Sequence, residues 1–81
     1  MDPQTAWNEM LTASLRKNWE QVSEFAEALR SWMKRGGFPP QTTAVTMPAR
    51  WNRAQAEFGC LQALQLVKQS QRRKQRKEAN E

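Results

Sequence analysis

Apolar residues recur every three to four positions in three separate stretches of this chain, the spacing of helices that each bury one face. In the first stretch Trp7, Met10, Leu11 and Leu15 share a face with Ser14. Asp2 suits an N-cap and Pro3 the first helical position, where a missing N–H costs nothing, so the pattern predicts a helix over 3–16. In the second stretch Val22, Phe25, Ala26, Leu29, Trp32 and Met33 form the cleanest stripe. Asn18 is a good N-cap, with Gln21 three residues on as in a capping box. Acidic Glu20, Glu24 and Glu27 come early and basic Arg30, Lys34 and Arg35 late, as the helix dipole favours. Gly36-Gly37 ends this helix, predicted over 19–35, and Pro39-Pro40 blocks a restart. With Gly37 as the left-handed residue, Phe38 stands where it contacts Met33.

The third stretch starts near Thr46 or Met47, with Pro48 in its first turn. Trp51, Ala54, Phe58, Leu61 and Leu64 share a face that Cys60, Leu66 and Val67 widen. Its phase with Phe58 and Leu61 assigns Trp51 to the core, and the helix is expected over 48–70. Residues 36–47 read as a strap across the helices, anchored by Phe38 and Val45, because one short strand there has nothing to pair with. The short turn at Lys17-Asn18 makes the first two helices antiparallel. The expectation is an all-α fold: a small three-helix bundle, an antiparallel helical hairpin plus a third helix, with a basic C-terminal tail.

Length and composition narrow the chemistry. Eighty-one residues leave room for one core, and four Trp do the work of a larger one. There is no His and a single Cys, which excludes an internal disulfide and a Cys/His zinc site. Cys60 has no imidazole to activate it, its apolar phase implies burial, and Glu20, Glu24 and Glu27 read as one solvated helix side. No catalytic constellation, metal site or cofactor is expected, and the chain reads as non-enzymatic. The opening Met-Asp-Pro-Gln-Thr is acidic and lacks the apolar run of a signal peptide. No apolar run approaches a membrane span, and a lone buried Cys suits a reducing cytosol. The expected location is cytoplasmic.

Charge divides the chain. Lys68, Arg72, Arg73, Lys74, Arg76 and Lys77 face only Glu78 and Glu81, so residues 68–81 carry +4 and residues 1–67 only +1. The basic residues surround the helical wheel and leave no apolar face to dock. Residues 1–67 therefore form the domain, and 68–81 a basic helical extension or disordered arm. Such an arm attracts phosphates by counterion release without reading sequence. Arg50 and Arg53, flanking Trp51, are further candidate nucleic-acid contacts. An acidic protein surface is the other partner the charge fits, and a merely solubilising terminus the alternative; a membrane is excluded because the tail has no Trp, Phe or Leu to insert. Trp19, in the turn beside a cap, either closes the joint between the first two helices or marks a protein-interaction site. A core this small also leaves room for a homo-oligomer.

Trp7, Met10 and Ala13, then Trp19, Val22, Ala26 and Leu29, and Pro39-Pro40, give residues 6–40 a pattern that resembles a tetratricopeptide-type helical hairpin. The pattern departs at Leu11, where the repeat has a small residue, in a turn one residue short, and in having no second copy, whereas a solenoid needs about three. The run from Asp2-Pro3 through Ala6-Trp7 to Trp32 and Gly36-Gly37-Phe38-Pro39-Pro40 is also similar to small bacterial proteins of unknown function. That resemblance implies a compact helical domain and no activity. The functional expectation is a non-enzymatic accessory module whose basic arm binds nucleic acid non-specifically, within a larger nucleoprotein complex. The alternative is a protein–protein adaptor or self-associating helical module.

Overall fold

The Asp2 carboxylate opens the first helix by taking two donors. One oxygen accepts from the Gln4 amide at 3.0 Å and the other from the Thr5 hydroxyl at 2.7 Å. The Thr5 hydroxyl, then the Gln4 amide, hold this carboxyl below its usual range. The computed structural model of the chain describes residues 1–79, with side chains as far as residue 72. These residues build three helices, α1 (Pro3–Leu15), α2 (Trp19–Lys34) and α3 (Ala49–Ala79). Both α1 and α3 pack against α2, so the fold is a small all-α bundle with α2 at its centre.

Both inter-helix joints are built from the backbone. At the end of α1 the Lys17 N–H donates to Ser14 O at 3.1 Å and the Asn18 N–H to Ala13 O at 2.9 Å. This is the paired closure of a Schellman motif, and Lys17 supplies its left-handed residue at φ 58°. Asn18 then turns to cap α2, its side-chain oxygen accepting from Gln21 N. The end of α2 repeats the motif, with Gly36 N bonded to Met33 O and Gly37 N to Trp32 O. The left-handed residue is Gly36, at φ 88°, one position before the expected Gly37. Phe38 packs edge-on against Trp32, with ring centroids 5.7 Å apart. The Trp32 indole N–H also donates to Phe38 O at 2.8 Å.

The core stripe of α2 is as expected: Val22, Ala26, Leu29 and Met33 are buried, with Phe25 and Trp32 partly so. The other two helices are rotated from their expected faces. On α1 the buried set is Pro3, Ala6, Trp7, Met10 and Ala13, while Leu11 and Leu15 are exposed. On α3 it is Asn52, Ala56, Cys60, Ala63 and Val67, while Trp51, Phe58, Leu61 and Leu66 are exposed and Leu64 only partly buried. The cause is space. Trp7, Met10, Leu29 and Met33 already fill the centre, so the helices around it close up through small side chains. On α3 the close approach is at Gly59: a Cβ there would lie 2.5 Å from Cη2 of Trp7, so the indole of α1 sits in the gap that the missing side chain leaves on α3.

The strap between α2 and α3 is fastened differently from expectation. Phe38 and Val45 are exposed, and the anchors are Pro40, fully buried, and Gln41. The Gln4 side-chain amide donates to Gln41 O at 3.1 Å and accepts from Gln41 N at 2.8 Å. A side chain of α1 thereby pairs with a loop backbone as a neighbouring strand would, satisfying both polar groups. At the far end of the strap Asn52 donates to Met47 O at 3.2 Å. α3 starts at Ala49, one residue after Pro48, and runs past the expected end at residue 70 to Ala79. Beyond Gly59 its sequence has no Gly or Pro and is rich in Gln, Arg, Lys and Ala, all good helix formers.

Two substitutions test these joints. Lys17→Gly removes the Cβ strain of a left-handed lysine and should stabilise the fold by about 1 kcal/mol in urea unfolding; a loss of stability would refute the assigned closure. Gly59→Ala gains about 1 kcal/mol of helix propensity but forces Trp7 out of a packed site at a cost of about 1–3 kcal/mol. The expected result is net destabilisation, and a neutral or stabilised variant would show that Trp7 is not wedged there.

Candidate functional site

Helix α3 carries most of the candidate chemistry, and its two ends differ. Val67 is the last of its residues in the core cluster. Lys68 and Arg72 follow on the same helix and are exposed. Arg73, Lys74, Arg76 and Lys77 continue that helix to Ala79, and their side chains lie outside the described residues. At 1.5 Å per residue, α3 is about 46 Å long against about 24 Å for α2, so its basic end overhangs the hairpin. This fits the longest dimension of the molecule, 50 Å.

Arg53 is placed elsewhere. Its guanidinium donates to Met33 O at 2.9 Å and to Gly37 O at 3.0 Å. These carbonyls belong to the end of α2 and the turn after it, where the helix dipole is negative. Arg53 thus clamps α3 to the C-terminus of α2, and its fork is occupied by that contact. Arg50 is exposed but lies about 27 Å along the helix from Lys68. The structure does not bring these two arginines together with the basic end.

Trp19 is partly buried against the core. Its remaining surface lines a notch with Glu20, Ser23, Glu24, Val67 and Gln71, directly below Arg72 in sequence. A larger depression of about 530 Å³ opens between α2 and α3, lined by Glu27, Arg30, Ser31, Lys34, Glu57 and Leu61. The acidic side of α2, read from sequence as a plain solvated face, therefore borders grooves against α3. Arg30 and Lys34 join Glu27 and Glu57 in the larger depression, while the notch beside Trp19 has Glu20 and Glu24; among the described residues no group of three or more His, Cys, Asp or Glu is arranged to hold a metal ion. No helix among them is long and apolar enough to cross a membrane.

A surface that the sequence assigned to the core completes the inventory. Trp51, Phe58 and Leu61 are 44%, 61% and 50% exposed, and Ala54, also exposed, lies between them. All four share the side of α3 opposite Ala56, Cys60 and Ala63. The signal that could have revealed this was the second, smaller-residue stripe Asn52, Ala56, Gly59, Cys60, Ala63 and Val67, which has the same helical period.

Cys60 faces inward and is fully buried. Burial pushes its thiol up from 9.0 to about 11; Arg30 works against that shift and Glu57 adds to it. The folded thiol holds its proton where the unfolded one has lost it. Stability from this residue is full below the unfolded value and declines as pH rises from about 9 to about 11. Urea unfolding of wild type and Cys60→Ala across that window should show a steeper alkaline loss in the wild type. Parallel curves would mean that the thiol is not shielded. Comparison of the chain with known protein families, curated proteins and solved structures gives no significant match in any of the three.

Proposed function

We propose that this chain is a non-enzymatic binding module whose basic helical arm holds nucleic acid through its phosphates, without sequence specificity. The observation that carries the reading is the continuity of α3. One helix leaves the core after Val67 and continues to Ala79, so the six cations from Lys68 to Lys77 are borne on a scaffold rooted in the bundle. Six positive charges in ten residues give a charge density suited to a polyanion, and released counterions drive such binding. Gln69, Gln71 and Gln75 supply neutral hydrogen-bond donors between them. The footprint is Lys68, Arg72, Arg73, Lys74, Arg76 and Lys77. Arg53 is left out because its fork is occupied on α2, and Arg50 because of its distance.

An adaptor role is the second reading, favoured by the exposed Trp51, Phe58 and Leu61 and by the partly open Trp19. The resemblance of residues 6–40 to a tetratricopeptide-type hairpin is compatible with it. The two readings separate in one titration. The full chain is titrated with a mixed-sequence duplex and a single-stranded oligonucleotide over a range of salt. If all six cations contact phosphate, log K should fall against log salt with a slope of about −4 to −5. Replacing the six with Gln should collapse both affinity and slope, whereas Arg53→Gln should lower stability and leave the slope unchanged. Equal binding by wild type and the six-Gln chain, or no salt-sensitive binding at all, would refute the nucleic-acid reading and leave the adaptor.

A further inference from the structure

We infer that Glu20, Glu24 and Glu27 of α2 are a built-in competitor at the root of the basic arm: their carboxylates partly neutralise Lys68 and Arg72, and a polyanion displaces them to use those two cations. The inference rests on the nucleic-acid reading above and adds an internal brake to it. The observation that carries it is a juxtaposition across the groove between α2 and α3. A depression of about 450 Å³ has Glu27 on its α2 wall and Lys68 and Gln71 on its α3 wall. The notch beside Trp19 continues it, lined by Glu20, Glu24 and the same Gln71. Arg72 stands one turn beyond Lys68 on the face of α3 that Gln71 shares, because residues three and four apart on a helix are neighbours. Acids of one helix thus line up against the first cations of the other.

The helix dipole does not account for this acidic row. Its effect fades beyond the first turn, which holds only Glu20 of the three. Glu24 and Glu27 lie further in, and three acids at spacings of four and three repel one another along one helix side. Cations across the groove offset that repulsion. The three carboxylates, Lys68 and Arg72 are all exposed, so each attraction is weak enough for a phosphate to replace. A depression of this volume is about 10 Å across, close to the Debye length at 0.1 M salt, so the attraction persists at moderate ionic strength. Arg73, Lys74, Arg76 and Lys77 come after Gln71, the furthest described residue of α3 that borders these acids. The arm is therefore graded, with its inner cations shared with α2 and its outer cations further along the axis.

The full chain, titrated with a single-stranded oligonucleotide at about 0.1 M salt, tests this. Glu20→Gln, Glu24→Gln and Glu27→Gln together should tighten binding about tenfold, since each weak exposed attraction contributes at most about fivefold. The same three changes in a Lys68→Gln/Arg72→Gln chain should gain less than about twofold, because screening shields the outer cations from these acids. Glu57→Gln, about 16 Å before Lys68 along α3, should change affinity by less than about twofold. Gln preserves helix-forming tendency at these exposed positions, and circular dichroism checks the fold. An unchanged affinity in the triple variant, or an equal gain with and without Lys68 and Arg72, overturns the competition and leaves the arm's nucleic-acid binding standing. Absence of salt-sensitive binding by every form, the triple variant included, overturns both.

Discussion

The indole of Trp7 fills the space that a side chain at position 59 would need, and the rest of the bundle is arranged around that contact. α1 and α3 both pack on α2, and Gly59 is where α3 yields to a ring from α1. Once Gly59 faces the core, helical periodicity takes Ala56, Cys60, Ala63 and Val67 inward with it. Trp51, Phe58 and Leu61 are then carried outward, whatever their hydrophobicity. Cys60, next to Gly59 and turned into the core, has its thiol shielded by burial there. The close approach explains why a chain of this size has a packed interior at all: large side chains from α1 and α2 are set against small ones from α3.

The C-terminal end of α2 is the second fixed point. Two backbone bonds close it through Gly36, the Trp32 indole holds Phe38 by its carbonyl, and the Arg53 fork takes the Met33 and Gly37 carbonyls. The Gly36 and Gly37 amides and the Arg53 guanidinium thus satisfy the Trp32 and Met33 carbonyls that the helix end leaves open, and the indole and guanidinium also hold the turn after it. This arrangement fixes the start of α3 and, through the rigidity of one continuous helix, the direction in which its basic end projects. An arginine that looks like a phosphate contact in sequence serves here as a helix cap from another element.

Function, on this account, is divided along α3. Its N-terminal half presents an exposed apolar face, and its C-terminal half carries the cations. The core face between them holds the two in register.

Three helices, their breaks at Lys17-Asn18 and Gly36-Gly37, the caps Asp2 and Asn18, and the core stripe of α2 were all legible in the sequence. Each depends on local chemistry: capping side chains, glycine at a left-handed position, and an apolar stripe with no rival on its helix. α3 carries two apolar stripes, one bulky and one small, and α1 offers either Leu11 and Leu15 or Ala6 and Ala13 beside the same Trp7 and Met10. Hydrophobicity favours the bulky stripe, and only the tertiary structure shows that close packing takes the small one. Ala6 and Ala13 over Leu11 and Leu15, and Ala56 and Ala63 over Phe58 and Leu61, were decided by the room left between helices. The basic charge of residues 68–81 was likewise plain from the sequence. That Arg53 is bound to α2, and that Pro40 and Gln41 rather than Phe38 and Val45 fasten the strap, depended on partners 16 to 37 residues away, a distance over which local pattern carries no information.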